Sequence, residues 1–213
     1  LYYAAKKQGY PDGAIEKLSG TKPAYPDKTV FKMVDTCAAE FDAETPYFYP
    51  VCGDYCDAAR FARSGKPVIM VIGSGPIRIG QGIEFDYSSV HCVFTLKKLG
   101  YDVVIVNNNP ETVSTDYDTA DRLYFSPLCP EDVMSVIRVE KPIGVVVAFG
   151  GQTAIKLTAF LDRKGIKILG TSAAGIDLAE DREKFDALLG SHGFRRPQGM
   201  SVTDLKQALA AAN

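Results

Sequence analysis

Residues 68–88 read VIMVIGSGPIRIGQGIEFDYS: an apolar run, a glycine-containing loop and the start of a helical pattern. The run at 68–72 is apolar at every position and rich in β-branched residues, which is typical of a strand buried on both faces. In an α/β protein, the loop after the first strand is where a nucleotide-binding glycine motif would lie. The stretch therefore predicts a parallel sheet covered by helices, and it raises the question of whether the loop holds a nucleotide.

Further apolar runs continue this pattern along the chain. They are VVIV at 103–106, GVVVAF at 144–149 and IKIL at 166–169. Helical patterns separate them, with expected inward residues Val90, Val93, Phe94 and Leu96 in the first, and Val133, Val136 and Ile137 in the second. Strand and helix alternating through short loops predict an α/β fold class, with a Rossmann-like doubly wound parallel sheet.

Helical flanks are predicted on both sides of this sheet. Residues 1–20 predict two short helices, and 179–194, reading AEDREKFDALLGSHGF, predict one amphipathic helix with Phe185, Leu188 and Leu189 inward. Residues 21–65 are expected to be irregular, because several prolines would break any long element.

Composition excludes several classes of protein. The 213 residues carry a net charge of −2, which leaves no clustered positive charge for nucleic acid or anionic membranes. No apolar stretch approaches the roughly 20 residues that span a bilayer. The five cysteines suggest reduced thiols in a cytoplasmic protein. Cys52 and Cys56, with Asp54 and Asp57 nearby, form a weak candidate metal site, and we expect no metal.

The glycine loop lacks the groups that recognise a dinucleotide. Arg78 stands where the third glycine of the fingerprint belongs, and Pro76 interrupts the turn. The second strand ends in three asparagines, 107–109, rather than in an acidic residue. No Gly-Lys-Ser/Thr sequence follows, so a Walker loop is excluded as well. The alternative is a tight connection that packs against neighbouring loops.

Charged residues are dense in the segments that follow the first two strands. They are Arg78, Glu84, Asp86, Glu111, Asp116, Asp118, Asp121 and Arg122. Surface ion pairs, each contributing about 0–1 kcal/mol, are one explanation. If several are enclosed instead, they must be mutually paired, and they would then line a polar cavity or a subdomain interface.

Five ordered motifs carry a resemblance to a known family. They are DTCAAEF at 35–41, RIGQGIEFDY at 78–87, NPETVSTDYDTADRLYF at 109–125, GGQT at 150–153 and AEDREKF at 179–185. Together they resemble the large subunit of carbamoyl-phosphate synthase. The versions present here are similar to those in the second half of that duplicated subunit.

The resemblance implies a domain organisation and an activity. Residues 1–66 would be the end of the oligomerisation domain and a connector, 67–176 the pre-ATP-grasp domain, and 177–213 the truncated start of an ATP-grasp domain. In the family, this half phosphorylates carbamate with ATP. ATP and Mg²⁺ or Mn²⁺ would be bound mainly outside this fragment, which we expect to be inactive alone. The implied partners are a glutamine amidotransferase small subunit and other large subunits.

The same resemblance assigns site residues, none of them catalytic. Arg78, Gly82, Glu84 and Glu111 would border the interior passage through which carbamate travels, with Arg122 helping Arg78 to orient the carboxylates. Arg182 would contact a nucleotide phosphate; its alternative is a surface pairing with a neighbouring acid.

Two other functions remain as alternatives. One is a non-catalytic oligomerisation or assembly module, which a stable oligomer of the chain would favour. The other is a nicotinamide-dependent oxidoreductase, against which the missing ribose-binding acid argues.

Overall fold

The computed structural model describes residues 1–24, 27–42, 44–76, 79, 82–197, 199 and 202–212. The chain divides into two compact units, Leu1–Gly170 and Thr171–Asn213. The first unit contains a sheet, and the second contains helices. The domain boundaries expected at 66/67 and 176/177 stay a prediction.

Seven strands form the sheet among the described residues. They are β1 Thr29–Met33, β2 Tyr47–Cys52, β3 Val68–Ile72, β4 Asp102–Asn107, β5 Arg122–Phe125, β6 Gly144–Val146 and β7 Ile168–Leu169. Their order across the sheet is β1-β2-β5-β4-β3-β6-β7. All neighbouring strands are parallel except β1 and β2, which are antiparallel.

Helices lie between and around these strands. In the first unit they are α1 Tyr2–Lys7, α2 Asp12–Ser19, α3 Glu84–Lys98, α4 Pro130–Glu140, α5 Gly151–Ile155 and α6 Thr158–Arg163. In the second unit they are α7 Ala173–Glu180, α8 Arg182–Ser191 and α9 Leu205–Ala212. Among the described residues, none of these helices has the length and apolar character needed to cross a membrane.

The central strands are buried on both faces, as the sequence predicts. Every residue of β4 is buried. Val71 of β3 and Ile105 of β4 lie in one apolar cluster with Val93 of α3. Their strand neighbours Met70 and Val104, whose side chains point to the opposite face, are also fully buried. The predicted α/β fold with a mainly parallel sheet is therefore confirmed.

The expectation of an irregular segment at 21–65 is wrong in part, because β1 and β2 extend the sheet there. Phe31 of β1 and Phe48 of β2 are both fully buried. The ring of Phe31 meets that of Tyr124 edge-on, with 4.8 Å between centroids. Such aromatic packing contributes about 0.5–1.5 kcal/mol beyond the area buried, which helps to hold this segment to the sheet.

Several helix predictions also need correction. The GGQT motif at 150–153 begins a helical pattern that is expected to run to Gly165 as one helix, but this segment forms two helices, α5 and α6. The helix expected at 179–194 is divided between α7 and α8. Asp181 begins α8, because its carboxylate accepts hydrogen bonds from the N–H groups of Glu183 and Lys184 at 3.0 Å. Phe94 and Phe185, expected inward, are 42% and 41% exposed.

Candidate functional site

The sheet has a topological switch at β3, which pairs with β4 on one side and with β6 on the other. The chain reaches β4 from β3 through α3, and it returns from β5 to β6 through α4. In open α/β sheets, ligands bind outside the carboxyl ends of the strands at such a point. The loops after β3, β4 and β6 are therefore the candidate site.

Glycines let these loops approach one another closely. A Cβ on Gly73 would lie 2.6 Å from the Asn107 side chain, and one on Gly75 would lie 3.0 Å from Oδ1 of Asn108. Gly75 also has a φ of +71°, which favours glycine. The space beside both glycines is filled by protein side chains. This arrangement favours a packed connection over a nucleotide cradle.

One buried side chain, that of Asn107, joins the loops after β3 and β4. Its Oδ1 accepts hydrogen bonds from the N–H groups of Gly75 at 3.0 Å and Asn108 at 2.9 Å. Its Nδ2 donates to Oγ of Ser114 at 3.2 Å. Asn107 is fully buried, so these bonds satisfy its side-chain amide, which has no access to water.

Two of the predicted site residues, Gly82 and Glu84, lie together at the start of α3. The N–H of Gly82 donates to Oε1 of Glu84 at 3.2 Å, and a Cβ on Gly82 would lie 2.3 Å from Oε2. Both residues are exposed. A carboxylate is stabilised at this end of a helix by the helix dipole. Arg78, the third predicted residue of this loop, lies outside the described residues.

Glu111 lies in the loop after β4 and is also exposed. Its N–H donates to Oδ1 of Asn109 at 3.1 Å. The short 3-10 turn that follows, Val113–Thr115, contacts α3, where Oδ2 of Asp86 accepts from the N–H of Ser114 at 3.2 Å. Glu84 and Glu111 therefore lie on two segments that contact each other.

The expectation that Arg122 orients these carboxylates is wrong. Arg122 is the first residue of β5, at the amino end of the strand, and is only 2% exposed. Its Nε lies 3.1 Å from both carboxylate oxygens of Glu140, and its Nη1 lies 3.4 Å from Asp102. The guanidinium is therefore held in a buried ion cluster, away from the loops at the carboxyl ends of the strands.

Glu140 is the centre of this buried cluster, which the sequence analysis missed. Arg63 and the hydroxyl of Tyr124 also donate to the Glu140 carboxylate. Burial, followed by the charge of Glu140 and its hydrogen bond, raises the pKa of Tyr124 well above its usual range. The Tyr124 hydroxyl therefore keeps its proton at neutral pH and donates a hydrogen bond to Glu140.

Arg182 belongs to the second unit, where it is the exposed first residue of α8. Asp186, one of its candidate surface partners, lies 3.3 Å from Arg196 instead. A role for Arg182 at a nucleotide phosphate stays a prediction.

Comparison with known proteins identifies the family. Residues 65–178 match the carbamoyl phosphate synthase preATP-grasp domain. The whole chain is 52% identical over 221 residues to the carbamoyl phosphate synthase large chain of Agathobacter rectalis. The chain belongs to the carbamoyl phosphate synthase large-chain family. A relative from Lachnoclostridium phytofermentans is 51% identical over 222 residues, again covering 100% of this chain.

The carbamoyl phosphate synthase large chains are much longer than this sequence. The 213 residues cover 20% of the Agathobacter rectalis protein and 21% of the Lachnoclostridium phytofermentans protein. Among solved structures, the biotin carboxylase domain of a single-chain bacterial carboxylase has a TM-score of 0.47 and 17% identity. That match covers 68% of this chain and 33% of the other.

Among the described residues, one group has metal-ligating spacing: Cys129, Glu131 and Asp132 at the start of α4. These side chains already form hydrogen bonds with other groups of the protein. The Cys129 thiol donates to Oδ2 of Asp132 at 2.6 Å, and Oε1 of Glu131 accepts from the N–H of Asp12 at 2.8 Å. Glu131 therefore links α4 to the N-terminal helix α2, whereas the bond between Cys129 and Asp132 is local to the start of α4.

Among the described residues, no group with metal-ligating spacing includes the candidate ligands predicted from the sequence, which are Cys52, Asp54, Cys56 and Asp57. Oδ2 of Asp57 accepts from the N–H of Met33 at 3.0 Å, and Sγ of Cys56 accepts from that of Phe31 at 3.5 Å. Asp54 pairs with Lys28 at 3.4 Å. Asp57 and Cys56 bind the backbone of β1.

Alkylation by iodoacetamide at pH 8 is expected to be slow at Cys129. Burial, and then the hydrogen bond and charge of Asp132, raise the pKa of this thiol, so that little of the reactive thiolate forms. Asp132→Asn removes the negative charge and is expected to raise the alkylation rate several-fold. Mass spectrometry of the modified peptide measures the rate. Equal rates in the two proteins would contradict the role given to Asp132.

Proposed function

We propose that the chain is the preATP-grasp segment of the carbamoyl-phosphate-forming half of carbamoyl phosphate synthase. In that reaction a carbamate oxygen takes the γ-phosphoryl group of ATP, and ADP leaves. ATP and Mg²⁺ or Mn²⁺ are bound mainly by residues outside this segment. A small amidotransferase subunit supplies ammonia from glutamine. The 213 residues position domains and have no catalytic activity alone.

We further propose that the loops at the carboxyl ends of β3 and β4 border the passage through which carbamate reaches this half. The observation that carries this proposal is the pairing of Gly82 with the exposed carboxylate of Glu84 at the topological switch. The Glu84 carboxylate occupies the space that a Cβ on Gly82 would take, so a larger residue at position 82 would push this carboxylate aside.

The negative charge of these loops would let an anion such as carbamate pass without binding. Glu84 and Glu111 are both exposed, and they lie on segments joined by the hydrogen bond from Ser114 to Asp86. Carboxylates repel carbamate and so do not hold it, whereas a pair of free arginines would bind it. Arg122 is neutralised in its own buried cluster and so does not add positive charge to this border.

Gly82→Leu in the complete large chain, assayed with its small subunit, tests the proposal. The leucine side chain is expected to narrow the passage, so that carbamate escapes and decomposes after its ATP has been spent. The ratio of ADP formed to carbamoyl phosphate formed should rise at least about twofold, since misplacing a reacting group is costly.

Gly13→Leu is the matched control, because a Cβ on Gly13 would meet nothing within 4 Å. Its ratio of ADP to carbamoyl phosphate is expected to equal that of the unmodified enzyme. An unchanged ratio in Gly82→Leu would show that this loop does not border the passage.

A further inference from the structure

Ser114 is held from two sides by buried polar side chains. Its N–H donates to Oδ2 of Asp86, and its Oγ accepts from Nδ2 of Asn107, both at 3.2 Å. Ser114 and Asn107 are fully buried, and Asp86 is 8% exposed. We call these three residues the Ser114 clamp. The clamp joins the start of α3 to the loop after β4.

Asp86 connects the clamp to Glu84, two residues earlier on the same helix. Residues two positions apart on a helix point to different sides. Asp86 is therefore buried while Glu84 is exposed. By fixing the inward side of the first turn of α3, Asp86 sets the direction in which the Glu84 carboxylate projects.

Ser114 connects the clamp to Glu111 on the other segment. The turn between them is compact, because Oγ1 of Thr115 donates to the carbonyl oxygens of Thr112 at 2.8 Å and Asn109 at 3.1 Å. Glu111 is tied to the same turn through Asn109. Displacing Ser114 would therefore displace the backbone that carries Glu111.

Asp86 could accept further hydrogen bonds besides the one from Ser114. Its second oxygen, Oδ1, is buried and has no hydrogen-bond partner among the residues that the structure describes. Burying a carboxylate oxygen without a hydrogen bond costs desolvation free energy, which packing alone does not explain. An alanine or valine would fill the same place without that cost, so a positional role explains the residue better.

We propose that Asp86 is a positioning residue, which acts through Ser114 to hold the Glu84 and Glu111 backbones in the relation that the carbamate passage requires. This inference rests on the proposed function. Asp86 does not itself border the passage, and because it is buried it would not be found among the exposed charges.

Asp86→Ala in the complete large chain, with its small subunit, is the main test. Loss of the acceptor is expected to speed hydrogen exchange of the Ser114 amide about tenfold. The ratio of ADP to carbamoyl phosphate is expected to rise about twofold or more, because the two carboxylates lose their fixed relation. Asp86→Asn keeps an acceptor oxygen and should restore both values toward those of the unmodified enzyme.

Asp162→Ala is the matched control, since Asp162 is an exposed aspartate on α6. It should change neither the exchange rate nor the ratio. If Asp86→Ala does not fold, Asp86→Ser decides the matter, because it removes the carboxylate that accepts from the Ser114 N–H but keeps a small polar side chain at this position. That variant should raise the ratio by a smaller factor.

Faster exchange with an unchanged ratio would overturn the inference, and so would an unchanged exchange rate. Gly82→Leu separates this failure from failure of the proposed function. A raised ratio in Gly82→Leu with no change in Asp86→Ala defeats the positioning role alone. An unchanged ratio in Gly82→Leu defeats the passage itself.

Discussion

Glu140→Ala is expected to lower the free energy of unfolding of the chain by about 3–5 kcal/mol, because it leaves a buried positive charge without its main partner. Arg122 is 2% exposed and binds both oxygens of Glu140 through Nε at 3.1 Å. Asp102, at 3.4 Å from Nη1, would be its remaining partner of opposite charge. The hydroxyl of Tyr124 would lose its acceptor as well.

Urea denaturation followed by circular dichroism measures this loss. Glu16→Ala, at an exposed glutamate of α2, is the control and should change stability by less than about 0.5 kcal/mol. A loss below about 1 kcal/mol for Glu140→Ala, as at exposed ion pairs, would show that water reaches the cluster and screens it.

Gly150→Ala is expected to destabilise the first unit by about 3 kcal/mol, because the added methyl group has no space. Its Cβ would lie 2.5 Å from the carbonyl oxygen of Ile72 and 2.8 Å from that of Gly73. Backbone atoms cannot move aside as a flexible side chain can. The backbone of Gly150, with φ of −85°, suits any residue, so the cost comes from crowding and not from conformational strain.

Gly13→Ala provides the opposite expectation within the same unit. Gly13 is the second residue of α2, and a Cβ there would meet nothing within 4 Å. Alanine should stabilise the chain by about 0.5–1 kcal/mol, since glycine is the poorer helix former. The change in the free energy of unfolding is measured for both variants. If Gly150→Ala and Gly13→Ala changed the free energy of unfolding by similar amounts, the loop after β6 would not approach the end of β3 as closely as described.

The sequence predicted the strands that are apolar throughout and missed those that are mixed. Residues 68–72 form β3 as expected, because burial on both faces leaves a continuous apolar run. Pro50 argued against a strand at β2, since proline lacks an N–H for the ladder. Only Tyr47 and Phe48 of β2 pair with β5, so Pro50 lies beyond the residues that need that bond.

The inward side of α3 shows a second limit of sequence patterns. Its buried residues are Asp86, Ser89, Val90 and Val93, which follow helical spacing but include two polar side chains. A search for apolar periodicity includes Phe94, which is 42% exposed, and omits Asp86. Polar residues that bind a neighbouring loop are recognised only when that loop's position is known.

The candidate site was predicted unevenly for the same reason. Family motifs predict Gly82, Glu84 and Glu111 as residues of the passage, and that role stays a prediction; the structure adds that Gly82 donates to Glu84. Arg122 lies away from the loops of the candidate site because RLYF at 122–125 forms the short strand β5, which is too short for apolar patterning to indicate. As the first residue of this strand, Arg122 lies at its amino end, opposite to the edge of the candidate site.

The antiparallel pairing of β1 with β2 has a consequence for dissecting this protein. A piece cut at residue 65, where the family match begins, would lose both strands and leave β5 with an unpaired border. It would also lose Arg63 from the ion cluster around Glu140 and uncover the ring of Tyr124. An uncovered strand border invites aggregation. An excised piece of this chain should therefore start upstream of Thr29, whatever domain name is given to the residues it includes.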